Sequence, residues 1–251
     1  MKRREMIKKY EKFGLSAVSN EAMFFQSDEK HDQLWEKLRT EERGRERLEL
    51  ARDIITEICN RAEISEEVVT VAIQIYEQTL TTDLVNNFSI GVLSVAAIYT
   101  ACRDQQIPRT INDIIDVSGT LIIKYNESAQ MEHYAGSNIT DKTTAERVYR
   151  KICDRLDYNY LPIDPKKFAN RFCNELELGP EAREVVQVVI GQLDAQVMSR
   201  YHPTTIASGA IYYVNLRLEL DISQADIQEV SDCSKNSIRK SYREIIKSLN
   251  D

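Results

Sequence analysis

The stretch Ser94-Val-Ala-Ala-Ile-Tyr99 returns as Ala207-Ser-Gly-Ala-Ile-Tyr212, 113 positions further along the chain. The same register continues without a gap, because Asp113-Ile114 matches Asp226-Ile227. A shared register over two helix-length segments rarely arises by chance. A period this long is typical of a duplicated domain rather than of a solenoid repeat. The chain is therefore predicted to contain two copies of one module.

Further matches extend the duplication in both directions. Upstream, Ile58-Cys59-Asn60 aligns with Phe172-Cys173-Asn174 at an offset of 114, and downstream Tyr149-Arg150 aligns with Tyr242-Arg243 at an offset of 93. The smaller offset means that the first copy carries 20 extra residues after Gly119, roughly residues 120–140. In this insertion, residues 121–125 are apolar enough to pack back or to bind a partner, and residues 127–137 are expected to form a loop.

Composition predicts a helical globular protein. Of the 251 residues, 42% are hydrophobic and 29% are charged, and a content of 8 glycines and 5 prolines favours helices over a turn-rich β fold. The longest apolar runs are far too short to span a membrane. The net charge of -7 argues against a protein that coats nucleic acid by its total charge, but it leaves room for a local basic face.

The sequence carries no signal of an active site. The five cysteines form no Cys-x-x-Cys pair. Four of them lie in apolar helical patterns and are expected to be free core thiols in a reducing cytosol, namely Cys59, Cys102, Cys153 and Cys173. The three histidines lie far apart, and the chain contains neither a glycine-rich phosphate loop nor a nucleophile elbow. We therefore expect no catalytic residue, no cofactor and no metal site.

Apolar periodicity predicts an all-α fold. After an amino-terminal tail or linker at 1–45, a helical stripe starts near residue 46, and the first copy holds about five helices up to residue 158. The second copy, 159–251, repeats this plan with helices predicted at 165–176, 180–199, 203–218, 223–230 and 236–249. In each copy the third helix is apolar on most faces and belongs at the centre of a bundle. The expected architecture is two tandem five-helix bundles.

The last helix of the second copy is the best candidate site. In an acidic protein it carries five cations against the single acid Glu244, namely Lys235, Arg239, Lys240, Arg243 and Lys247. A predicted helix at 223–230 and a short turn precede it. This order is typical of a helix-turn-helix, which places its second helix in a major groove.

Each polar residue of this helix has an expected role on DNA. Lys235, Asn236 and Ser237 would face base edges, and Arg239 would make a bidentate contact with guanine. Lys240, Arg243 and Lys247 would meet phosphates, which adds affinity without sequence information. The alternative is a solvated face that closes the bundle, because Ile238, Tyr242, Ile245 and Ile246 form an apolar stripe on the same helix.

The first copy contains a second basic region. It comprises Arg109 and a helical set at Lys142, Arg147, Arg150, Lys151 and Arg155, diluted by Glu146 and Asp154. From this set we select Arg109, Arg147, Arg150 and Lys151 as candidate contacts to the DNA backbone. The alternative is again a solvated helix face.

Four stretches in the right order resemble the cyclin-like repeats of the transcription factor IIB family. They are Ala101-Cys-Arg-Asp-Gln-Gln-Ile-Pro-Arg-Thr110, the connector Leu161-Pro-Ile-Asp-Pro165 with Arg171-Phe172 after it, Ala210-Ile-Tyr212, and Ser237-Ile-Arg-Lys-Ser-Tyr242. The sequence of residues 106–110 most resembles that of the archaeal version, transcription factor B. The resemblance covers roughly residues 46–251 without the insertion.

The resemblance implies a transcription initiation factor without enzymatic activity. Such a factor binds the TATA-binding protein on promoter DNA, reads the flanking element with the helix-turn-helix of its second repeat, and recruits RNA polymerase through an amino-terminal zinc ribbon. This chain has no Cys-x-x-Cys pair before Cys59, and its insertion interrupts the helix-turn-helix of the first copy. It is therefore interpreted either as the core of a longer factor or as a regulatory paralogue that competes at promoters. RNA polymerase remains a candidate partner.

Two other functions are open from the sequence. The chain is alternatively a cyclin-like module that binds protein, such as a kinase-activating subunit or an adaptor, without binding DNA. It is otherwise an all-α structural domain with neither role. The main interpretation predicts a cytoplasmic protein at the archaeal chromosome, or a nuclear one if the source is eukaryotic.

Overall fold

The computed structural model describes residues 29–128, 142–158 and 162–250. These residues form twelve helices and no strand, which confirms the predicted all-α fold. The helices are α1 (Glu29–Arg61), α2 (Glu66–Thr79), α3 (Leu84–Asn87), α4 (Ile90–Asp104), α5 (Ile111–Ser128), α6 (Lys142–Leu156), α7 (Pro165–Glu175), α8 (Pro180–Gly191), α9 (Ala195–Arg200), α10 (Pro203–Arg217), α11 (Gln224–Ser231) and α12 (Lys235–Asn250). The chain divides into two compact units between Glu46 and Arg47, and the second unit holds both repeats.

Each repeat is a bundle around one central helix. In the first repeat α4 packs against α2, α5 and α6, and in the second repeat α10 packs against α7, α8, α11 and α12. Twelve of the fifteen residues of α4 are buried, because this helix is apolar on nearly every face. Each repeat has the five predicted helices and one additional short helix, α3 in the first and α9 in the second.

The two repeats have separate hydrophobic cores. The buried residues of the first core lie between Ala51 and Ile152, and those of the second lie between Ile163 and Ile245. No residue belongs to both cores. Each repeat therefore has its own source of stability.

The duplication is visible in matching local geometry. The rings of Tyr99 and Tyr149 meet edge to face at 4.9 Å, and their counterparts Tyr212 and Tyr242 do so at 5.2 Å. The helix ends agree as well, since left-handed backbone occurs at Glu63 (φ 51°) and at its counterpart Glu177 (φ 52°). Residues at equivalent positions thus make equivalent contacts and equivalent turns.

The start of the first helix and the helix predicted at 180–199 differ from the prediction. The first helix begins at Glu29 rather than near residue 46, because residues 29–45 are rich in Glu, Lys, Arg and Leu, which form helix without an apolar stripe. The single helix predicted at 180–199 is two helices, α8 and α9. The chain breaks at Asp194, whose backbone is extended and whose carboxylate accepts the Val197 N–H at 2.8 Å as an N-cap.

The inserted segment begins as helix. The prediction placed a helix at 111–117 and a loop at 127–137, but α5 continues without interruption to Ser128. The apolar residues 121–125 therefore extend α5, and Glu127 and Ser128 are helical rather than loop. The remainder of the predicted loop lies outside the described residues.

The cysteines are packing residues, which confirms the prediction for the four that lie in helices and adds Cys233 in a turn. Cys59, Cys102, Cys173 and Cys233 are buried free thiols and Cys153 is half-buried. Burial raises the pKa of both Cys59 and Cys102 to about 12, so that neither is a thiolate near neutral pH. In the part of the chain that the structure describes, no helix is both long and apolar enough to cross a membrane.

Candidate nucleic-acid interface

The candidate site begins with α11, whose start is fixed by a capping box. The Ser223 hydroxyl accepts the N–H groups of Ala225 and Asp226 at 3.1 and 3.2 Å, and the Asp226 carboxylate accepts the Ser223 N–H at 2.8 Å. The hydrogen bond from the Ser223 backbone, followed by one from the Ser223 side chain, lowers the pKa of Asp226. An equivalent capping box begins α5 in the first repeat. There the Thr110 N–H donates to the Asp113 carboxylate, and the Asp113 N–H donates to the Thr110 hydroxyl.

A three-residue turn, residues 232–234, joins α11 to α12. The turn is possible because Asp232 adopts left-handed backbone (φ 58°), a conformation that Asp tolerates better than most residues. Cys233 is buried in the turn, and its N–H donates to the Ser231 hydroxyl at 3.2 Å. Ser234 then accepts the Ser237 N–H at 3.1 Å and starts α12. The counterpart of Asp232 in the first repeat is Gly119, where α5 continues as helix instead.

One face of α12 packs on the central helix of its repeat. Ile238 and Ile245 are fully buried, and Tyr242 lies edge to face on Tyr212 of α10. The two helices approach most closely at Gly209, where a β-carbon would come within 2.7 Å of the Ser241 β-carbon. This face fixes the rotation of α12 and hence the direction in which its other face points.

The opposite face of α12 is exposed and cationic. Side chains of six predicted contact residues lie in solvent: Lys235, Asn236, Arg239, Lys240, Arg243 and Lys247. Ser237 is half-buried, because its N–H and hydroxyl are engaged with Ser234. Among the described residues, Lys235, Lys240 and Arg243 have no carboxylate within 4 Å. Their charges are available to an external anion.

Glu244 is the acid of this face, and it is held by two cations. Lys247 Nζ donates to Glu244 Oε1 at 2.8 Å, and Arg200 Nη1 lies 3.5 Å from Oε2. The hydrogen bond from Lys247 is the main cause that lowers the pKa of Glu244. Arg200 comes from α9 and extends the basic surface beyond α12. This position of Arg200 was not predicted, because the sequence pattern does not indicate which distant residues lie beside α12. Arg200 and Glu244 are 44 positions apart.

Arg239 is oriented by a residue of the preceding helix. Its Nε donates to Gln224 Oε1 at 3.0 Å, a contact between the first residue of α11 and the first turns of α12. With Nε engaged, the two terminal nitrogens of the guanidinium remain available. A guanine edge presents two acceptors to such a pair of donors.

The basic residues of the first repeat are more strongly engaged. Arg147 and Lys151 lie over the ring of Phe88, with the charged atoms 5.8 and 5.3 Å from its centroid, and Arg150 lies 3.7 Å from Glu146. Arg109 is not on the same helix, since it lies half-buried in the connection between α4 and α5. The structure thus places Arg147, Arg150 and Lys151 on one helix, α6, and Arg109 in a different segment.

The helices α6 and α12 carry opposite charges at the position of Arg239. Glu146 of α6 occupies the equivalent place, so the first repeat has an acid where the second has its candidate base-reading residue. No group of three or more His, Cys, Asp or Glu residues suited to a metal ion occurs within residues 29–128, 142–158 and 162–250.

Comparison with known proteins identifies both halves of the duplication. A family model described as the transcription factor TFIIB repeat matches residues 45–122 and 159–248. Transcription initiation factor IIB 7 of Halobacterium salinarum is 29% identical over 215 residues, which cover 85% of this chain and 60% of that protein. Transcription initiation factor IIB 2 of Thermoplasma acidophilum is 27% identical over 216 residues, covering 86% of this chain and 64% of that protein.

These relatives are longer than the present chain, which spans less than two thirds of their length. Among solved structures, a viral cyclin from herpesvirus saimiri is 14% identical, covers 83% of this chain and 88% of its own, and has a TM-score of 0.31. A likeness at that level is too distant for any conclusion. The match of both repeats to one family model, in contrast, confirms the resemblance seen in the sequence.

Proposed function

The chain belongs to the family defined by the transcription factor TFIIB repeat, and from this premise we propose that it joins the TATA-binding protein on promoter DNA. In this proposal the second repeat reads the element that flanks the TATA box, and α11, the turn and α12 act as a helix-turn-helix. The protein assembles a complex and makes or breaks no bond. RNA polymerase is a further proposed partner, to which no described residue is assigned.

The observation that carries the proposal is the division of α12 into two faces. Its apolar face is buried on α10, and its cationic face is exposed directly after a three-residue turn. A major groove about 12 Å wide admits one α-helix. A helix that is anchored along one side and cationic along the other has the shape and charge that such a groove requires.

The roles along α12 follow from position. Lys235, Asn236 and Ser237 form its first turn and would lie nearest the base edges, with Arg239 directed at guanine. Lys240, Arg243 and Lys247 continue along the exposed face and would meet phosphates. Arg200 is added to the phosphate contacts, because it lies beside Glu244 on the same surface.

The first repeat contributes differently. Its α6 offers Arg147, Arg150 and Lys151 for contacts to the DNA backbone, and Arg109 offers one from the connection between α4 and α5. Because Arg147 and Lys151 lie over Phe88 and Arg150 has Glu146 nearby, these contacts would be weaker than those of α12. Together with the second repeat it would clamp the TATA-binding protein on the DNA.

A gel-shift experiment on TATA-bearing DNA tests the proposal. The shifted band is expected to require the TATA-binding protein, and the double variant Arg239→Ala/Lys240→Ala is expected to bind at least tenfold more weakly, because a bidentate base contact alone contributes about 1–3 kcal/mol. Substitution of the guanine that Arg239 would contact should weaken binding by the wild type and leave binding by the variant unchanged.

The matched control removes the same charge elsewhere. Arg52→Ala/Arg61→Ala takes two exposed cations from α1 and should bind as the wild type does. Equal binding by the wild type and the α12 variant would contradict the proposal. A kinase recovered by pull-down, with no shifted band, would support the cyclin-like alternative instead.

A further inference from the structure

The two repeats do not share a core, so their relative orientation needs another cause. The buried residues of the first core end at Ile152 and those of the second begin at Ile163. Domains within one chain are expected to move relative to each other unless their interface is large and hydrophobic. Here the interface contains a group of polar contacts, all of which converge on residues 106–113 of the first repeat.

Arg171 is at the centre of this group. It extends from α7 of the second repeat to the start of α5 in the first, where its Nη1 and Nη2 donate to the two carboxylate oxygens of Asp113 at 2.5 and 2.9 Å. Its Nη1 also donates to the Pro108 carbonyl at 2.9 Å, and its Nε donates to Glu175 within α7 at 2.7 Å. Such a bidentate pair is both strong and directional.

The pair is largely withdrawn from water. The Arg171 side chain is 15% exposed and that of Asp113 is 19% exposed. Burial alone would lower the pKa of Arg171, but the hydrogen bonds and charges of Asp113 and Glu175 outweigh this effect and raise it. A largely buried charge is costly without a partner of opposite charge. Separation of the two repeats at this contact would therefore be unfavourable.

Two further contacts surround the pair. Lys167, one turn before Arg171 on α7, donates to the Gln106 carbonyl at 3.0 Å. The Thr110 hydroxyl donates at 3.1 Å to the carboxylate of Asp232, the residue that makes the turn before α12. The same segment of the first repeat is therefore tied both to α7 and to the base of the candidate recognition helix.

Arg171 is not among the residues that the two copies share. Its counterpart in the first copy, at the offset of 114, is Glu57, which bonds to Arg61 of its own helix. Asp113, in contrast, has the counterpart Asp226 with the same capping role. The capping acid is common to both copies, and the arginine that joins the copies occurs in one of them.

We propose that Arg171 is a positioning residue, which holds two separately packed repeats in one orientation so that their basic faces meet a partner at a fixed spacing. The part that concerns DNA rests on the function proposed above. The part that concerns orientation does not, because the contacts exist in the protein alone.

Distance measurements between the repeats test the orientation. Spin labels are placed at two exposed positions, one in each repeat, by Glu67→Cys and Glu184→Cys in a Cys153→Ser background. The wild type is expected to give one narrow distance distribution by double electron–electron resonance. Arg171→Gln should broaden it, and so should Asp113→Asn, which keeps an oxygen to accept the Thr110 N–H and so preserves the cap of α5.

The control is an arginine that bonds within one repeat. Arg183 donates to the Leu178 carbonyl and to Asn174, all in the second repeat, so Arg183→Gln should keep the narrow distribution. Because neither core contains Arg171 or Asp113, helical circular dichroism should be unchanged in all three variants. A distribution for Arg171→Gln as narrow as that of the wild type would overturn the proposal.

A binding experiment tests the consequence for function. On the complex of promoter DNA and TATA-binding protein, Arg171→Gln is expected to bind roughly tenfold more weakly, since two linked contacts lose their fixed spacing. Its affinity for a short duplex that only α12 can cover should be unchanged. If Arg171→Gln binds the full complex as tightly as the wild type does, Arg171 has no role in binding. Failure of the wild type to bind would refute the proposed function, while the distance measurement would still decide the orientation.

Discussion

At the scale of single residues, Gly209 determines how closely α12 approaches α10. A β-carbon at this position would lie 2.7 Å from the Ser241 β-carbon and 3.1 Å from the Tyr242 nitrogen. Gly209→Ala is therefore expected to lower the free energy of unfolding by about 1–3 kcal/mol through overpacking, measured by urea denaturation. Gly119→Ala is the control, because its β-carbon meets nothing within 4 Å in a helix, where Ala gains about 0.5–1 kcal/mol over Gly. If the two variants have the same free energy of unfolding, α12 does not approach α10 closely at Gly209.

Gln224 is a second residue whose effect can be measured. If its contact with Arg239 Nε orients the guanidinium, Gln224→Ala should reduce discrimination at a guanine of the flanking element while affinity for non-specific DNA stays the same. Competition binding with single-base substitutions measures this. Gln228→Ala, an exposed glutamine of the same helix, should discriminate as the wild type does. In an Arg239→Ala background, a further loss from Gln224→Ala would show that the glutamine acts by another route.

At the scale of elements, α12 combines packing and an exposed charged surface. Ile238 is fully buried, so Ile238→Ala is expected to lower the free energy of unfolding by about 2–5 kcal/mol. Lys240→Ala on the exposed face should change it by less than about 0.5 kcal/mol. Chemical denaturation of both variants measures the difference. A large loss of stability in Lys240→Ala would mean that the cationic face is used for packing rather than for binding.

The elements also show how far sequence patterns reach. The repeat at residues 94–99 and 207–212 and the apolar stripes were sufficient to predict two bundles around α4 and α10, because burial on all sides leaves a clear pattern. The exposure of the α12 cations followed from the position of Ile238 and Ile245 on the other face. The break at Asp194 was not predicted, since it depends on a local cap that apolar periodicity does not record. The continuation of α5 to Ser128 was not predicted either.

Contacts between distant residues could not be predicted at all. Arg171 and Asp113 are 58 positions apart, and Arg200 and Glu244 are 44 apart. Each of these residues is an ordinary charged residue on a helix until the fold brings its partner near. The pair that joins the repeats and the extension of the basic surface were therefore visible only in the structure.

At the scale of the whole molecule, the chain is acidic but concentrates positive charge on one exposed helix face. The net charge of -7 disfavours non-specific binding to DNA, and in the proposed function the α12 cations would bind DNA where the helix fits a groove. In the same proposal, the polar junction between the two separate cores would set the distance between the surfaces that meet the partners. Specific assembly, rather than bulk attraction, is the behaviour that this distribution of charge predicts.

The most direct test of this account is the salt dependence of binding to the complex of TATA-binding protein and promoter DNA, followed by fluorescence anisotropy. Each phosphate contact contributes about -0.9 to the slope of log K against log salt concentration, so Lys240→Ala/Arg243→Ala/Lys247→Ala should make the slope shallower by roughly 2–3. Arg52→Ala/Arg61→Ala on α1 should leave the slope unchanged. A triple variant with the slope of the wild type would contradict the claim that the exposed face of α12 binds DNA.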